Sequence, residues 1–86
     1  MKKQRYIIYY RKYNIFGNCY LRYIRVVETE DIYHIIGKMI CTTLEKIEQI
    51  WYSAAKLSLE KYEAHWTELG YRQIDNSNDW VNETIE

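Results

Sequence analysis

Gln4-Arg5-Tyr6-Ile7-Ile8-Tyr9-Tyr10-Arg11-Lys12-Tyr13 and Cys19-Tyr20-Leu21-Arg22-Tyr23-Ile24-Arg25-Val26-Val27 decide the fold class. Both stretches are dense in aromatic and β-branched side chains, which fit the pleated surface of a sheet. Between them lies Asn14-Ile15-Phe16-Gly17-Asn18, where Gly17 and the asparagines tolerate positive φ. The pattern predicts an antiparallel β-hairpin. Its register stays open, because a slip of one residue exchanges the two faces.

Downstream the periodicity changes. Thr29 is a candidate cap, with Glu30 and Asp31 in the first helical turn. Ile32, Ile35, Ile36, Met39 and Ile40 then recur at helical spacing. Thr42 and Glu45 have the spacing of a capping box. The apolar phase nevertheless continues through Leu44, Ile47, Trp51, Ala55, Tyr62, Trp66 and Leu69. The segment therefore reads as one long amphipathic helix or two consecutive ones, the second covering about 43–69 and closed by Gly70. Tyr71-Arg72-Gln73-Ile74 is a candidate third strand, and Asp75 to Asn78 is turn-like. Residues 79–86 read as a short helix or a tail, and 76–86 as a loose acidic end of the chain. The expectation is a single α+β domain over 1–86, with the hairpin packed on the helical segment. A hairpin alone is marginal, so a helix must cover one of its faces.

Apolar residues make up 48% of the chain and charged residues 28%, which excludes a disordered composition. No apolar run approaches the roughly 18 residues of a membrane span. The basic start Met1-Lys2-Lys3-Gln4-Arg5 is followed by a segment too short and Tyr-rich for a signal peptide, so a cytoplasmic protein is expected. Cys19 and Cys41 form no paired motif and read as reduced thiols. The chain has twelve Ile, three Ala and no Pro, residue usage that points to an AT-rich genome.

Net charge is zero but unevenly spread. Residues 1–27 carry +7 with no acid, and residues 28–86 carry −7. In size, residue usage and charge polarity the chain resembles small phage or mobile-element proteins, anti-CRISPR proteins among them, although no family motif is present. That resemblance implies a non-enzymatic inhibitor or modulator acting by stoichiometric contact with a host protein in the host bacterial cytoplasm. If 43–69 is helical, Glu45, Gln49, Tyr52, Lys56, Glu60 and Glu63 share a face. Such an acidic strip would occupy the basic groove of a nucleic-acid-handling effector. Ile50, Leu57 and Ala64, spaced by seven, would then supply an apolar seam for self-association.

The alternative surface is the hairpin. Arg5, Tyr9, Arg11, Tyr13, Arg22 and Arg25 mix cations with rings, the combination that grips single-stranded nucleic acid. The same tyrosines would otherwise be core and cross-strand pairs, with arginine stems lying over them. No catalytic arrangement is legible. His34 and Cys41 offer two ligands where zinc needs three or four. His65 has no nucleophile near it in the sequence, and the isolated glycines make no phosphate loop. No cofactor is expected.

Overall fold

The computed structural model describes residues 2–14, 17–41, 46–75 and 77–83. The two Tyr-rich stretches are strands β1 (Gln4–Asn14) and β2 (Cys19–Thr29), paired antiparallel over their full length as the hairpin pattern predicts. Their register sets Ile7 opposite Val26, Ile8 opposite Arg25 and Arg11 opposite Arg22. Helix α1 (Ile32–Ile40) follows. Its N-cap is Asp31, whose carboxylate accepts from the His34 amide, while the Thr29 hydroxyl accepts from the Asp31 amide.

The continuous second helix does not form. Ile47–Ala54 is a strand, β3, and only Leu59–Leu69 is helical, as α2. Gly70 ends α2 at φ 100°, a left-handed conformation that glycine adopts without a Cβ penalty. The candidate capping box Thr42/Glu45 lies outside the described residues. The third strand is present as β4 (Tyr71–Gln73). The expected loose tail is corrected as well. Asp79–Asn82 is strand β5, and Trp80, Val81 and Asn82 are buried. Trp80 and Val81 supply the reason, since leaving both in water would forgo about 1.5–3 kcal/mol of burial for each large side chain.

The five strands form one antiparallel sheet in the order β3-β1-β2-β5-β4. The two edge strands, β3 and β4, are joined through α2, which lies across one face. Trp66 of α2 packs there with Ile7, Ile24, Val26 and Trp80. Ile32 and Met39 of α1 cover Ile8 and Tyr10 on the opposite face. The sheet is therefore a middle layer with one helix on each side.

A misreading of β3 explains the lost helix. Its partnership with β1 shifts between Tyr9 and Arg11, where β3 carries one extra residue. Gln49 sits in this bulge at φ 54°. The bulge puts Ile47, Ile50 and Tyr52 on one face. Ile47 and Trp51, four positions apart and read as one helical stripe, therefore stand on opposite faces of the strand.

Trp66 is 1% exposed and meets Trp80 edge-on at 5.5 Å and Tyr62 at 5.8 Å. Trp66→Ala is expected to lower unfolding stability by about 3–5 kcal/mol, read from the urea midpoint. Burial pushes the Tyr9 phenol above its ordinary value of 10.0. The unfolded chain then releases this proton before the folded one does. Stability from Tyr9 is complete below pH 10.0 and declines as pH rises through the folded value. Urea midpoints measured between pH 8 and the alkaline limit should fall less steeply in Tyr9→Phe than in the wild type.

Candidate functional site: a basic aromatic cluster on the sheet

β1 and β2 each have 11 residues and so run for about 36 Å. α2 also has 11 residues but spans only about 16 Å. The helix cannot cover the hairpin lengthwise. It packs on Ile7, Tyr9, Ile24 and Val26, and the half toward the hairpin turn extends beyond that cluster.

The register decides which side chains occupy this half. Tyr9, Arg11 and Tyr13 alternate onto the α2 face, as do Arg22 and Tyr20, which stand opposite Arg11 and Tyr13. Arg5 shares the face but sits at the far end of β1, paired with Glu28 at 2.9 Å. Arg25 is on the other face. It makes two hydrogen bonds to Asp79, at 2.9 and 3.1 Å, and its guanidinium lies 5.8 Å from the Tyr10 ring centre. Of the six residues expected to act together, the fold thus gathers Tyr9, Arg11, Tyr13 and Arg22.

Other elements complete the group. The Arg11 guanidinium donates to Gln49 Oε1 at 3.2 Å and lies 5.0 Å from the Tyr20 ring centre. The Lys46 ammonium approaches the same ring at 5.8 Å, so Tyr20 has two cations against its ring. Lys46 also meets Glu48 at 3.4 Å. Its contacts with Tyr20 and Glu48 raise its pKa above the ordinary 10.5. Tyr13 meets Tyr20 edge-on at 5.3 Å and donates its hydroxyl proton to Asn18 Oδ1. Beside them Tyr9, Arg11, Arg22, Gln49 and Tyr71 line a shallow pocket of ≈ 220 Å³. On the β3 side, Trp51 meets Tyr9 at 5.0 Å with the two rings tilted by 30°, and it remains 61% exposed.

Two guanidiniums directly opposite on neighbouring strands disfavour the pairing that holds them. The hydrogen bond from Arg11 to Gln49 goes to a neutral amide, which brings no opposing charge to the guanidinium. Chemically the cluster offers cations to an anion and ring faces to a planar group. Lys46 and Tyr71 were missed as members. Lys46 and Tyr71 lie far from the hairpin in sequence, and only the sheet brings them beside it.

The acidic strip is not assembled. Glu45 lies outside the described residues. Gln49 and Tyr52 are on β3, with Gln49 in the pocket and Tyr52 on the opposite face against Tyr6 and Tyr33. Glu60 and Glu63 are on α2. The seam residues separate too. Ile50 packs on the α1 side, Leu57 is exposed between β3 and α2, and Ala64 is exposed on α2. The reason in both cases is the strand at 47–54, which removes the shared helical face. His34 and Cys41 lie on and just after α1, His65 on α2, and among the described residues no three potential metal ligands converge. No helix among the described residues is long and apolar enough to cross a membrane.

Compared with protein-family models, with curated proteins and with solved structures, the chain matches none.

Proposed function

We propose that this chain is a non-enzymatic binding protein whose ligand is single-stranded nucleic acid, held on the α2 face of the hairpin beyond the helix. The observation that carries this reading is the opposition of Arg11 and Arg22 on one sheet face, beside Tyr13, Tyr20 and Lys46. Phosphates would lie between the guanidiniums, and bases would stack on the tyrosines and on exposed Trp51. Stacking tolerates any base, because every base has a π-face, so this chemistry favours little sequence preference. A duplex fits less well, since its bases are already stacked on one another and closed to these rings.

The inhibitor reading requires an acidic strip reaching into a partner's groove. Glu60 and Glu63 remain on α2, but Gln49 and Tyr52 belong to a strand. The basic cluster therefore supports the nucleic-acid reading better than α2 supports the inhibitor. An acidic protein bound by the same arginines is the competing outcome.

Fluorescence anisotropy with a labelled single-stranded oligonucleotide, titrated at several salt concentrations, tests the proposal. Three or four phosphate contacts predict a slope of log K against log salt of roughly −2 to −3. Arg11→Ala and Arg22→Ala should each make that slope shallower, and Tyr13→Ala should cost about 1–3 kcal/mol if a base stacks on it. Absence of binding to single strands at low salt would sink the reading.

A further inference from the structure

β3 is an edge of the sheet. The Ala55 amide donates to the Arg5 carbonyl, which fixes the alternation: Ala55, Ser53 and Trp51 direct their backbone groups to β1. Ile50, Tyr52 and Ala54 direct theirs outward, where no described strand pairs with them. Natural edges are blunted by lysine, proline or a bulge. The stretch Ile50–Ala54 has no charge and no proline, and the bulge falls at its start, over Gln49 and Ile50. Beyond it Trp51–Ala54, four residues in regular register, present an open edge.

The helix layer is also unfinished at this border. The core stripe of α1 includes Ile32, Ile35, Ile36 and Met39. One flank carries Asp31, His34 and Lys38, and the other carries Tyr33, Gly37 and Ile40. The apolar flank is the one toward β3, because the Tyr33 ring meets Tyr52 edge-on at 5.9 Å. Tyr33 is 73% exposed and Ile40 60%. A Cβ built on Gly37 would meet nothing within 4 Å, so another body can approach the helix closely there.

We propose that two copies of this chain associate edge to edge through β3, antiparallel about a two-fold axis at Tyr52. Tyr52 then exchanges both backbone bonds with the second copy's Tyr52, and Ile50 exchanges its bonds with the second copy's Ala54. An extended peptide would satisfy the strand and leave Tyr33 and Ile40 in water. A second copy brings a strand edge and a helix flank at matching heights, since both come from the same two layers. Charge agrees with this register. Ile50–Ala54 places no like charges opposite one another. An axis normal to the sheet also keeps both Arg11/Arg22 clusters on one side of the ten-stranded sheet that would result.

Sedimentation equilibrium at concentrations on the order of 100 µM tests this, since an interface with a Kd of about 10 µM is mostly formed there. The wild type should sediment at twice the 10.6 kDa chain mass. Ala54→Pro removes an outward amide and spares the ladder to β1. The double variant Tyr33→Glu/Ile40→Glu alters only exposed side chains of α1 and keeps the test valid should the proline disturb the strand. The double variant should sediment at the monomer mass with a wild-type far-UV spectrum, as should any Ala54→Pro protein that folds. A monomeric wild type overturns the proposal, and so does a dimer that survives the double variant.

Discussion

Ile7 and Ile8 are neighbours in β1, and both are completely buried. Successive residues of a strand point to opposite faces. Two such residues without solvent exposure therefore require a cover on each side of the sheet. That single demand organises the molecule. Ile7 gathers Ile24, Val26, Trp66 and Trp80, and Ile8 gathers Tyr10, Ile32 and Met39. It is also the reason one helix could never have sufficed. A hairpin with a single covered face would leave one of these isoleucines in water, at a cost of about 1.5–3 kcal/mol.

The covers are shorter than what they cover. A helix advances about 1.5 Å per residue and a strand about 3.3 Å. An 86-residue chain that devotes 22 residues to its two longest strands cannot roof them with helices of nine and eleven. The half of the hairpin beyond α2 is thus left to side chains that tolerate water. Arginine and tyrosine do so by exposing a polar head and laying an apolar or planar body over their neighbours. The cation–ring contacts around Tyr20 are the local consequence. The groups that finish this unroofed sheet are cations and rings, the chemistry on which the proposed nucleic-acid binding rests.

Much of the architecture was legible from the chain. The hairpin, α1, the glycine stop at position 70 and the short strand after it all follow from local chemistry. The strand at 47–54 did not. Ile47 and Trp51 keep the spacing of four that a helix shows, while the bulge at Gln49 sets them on opposite faces of a strand. A left-handed residue that is not glycine leaves no composition signal. The same error carried the acidic strip and the apolar seam with it, since both depended on a helical phase through that segment. β5 was missed for another reason. It holds four residues, and its partner β2 precedes it by more than fifty positions.

The sequence by itself determined the elements with strong local signals and the ingredients of the site: seven cations and no acid in the first 27 residues, interleaved with tyrosines. It did not determine which of them stand together. Alternation sorts each strand into two sets of side chains, but only the register relates the sets of different strands, and register is set by contacts between distant segments. Tertiary structure therefore placed Arg11 opposite Arg22, sent Arg25 to the other face to meet Asp79, and brought Lys46 and Gln49 beside the hairpin.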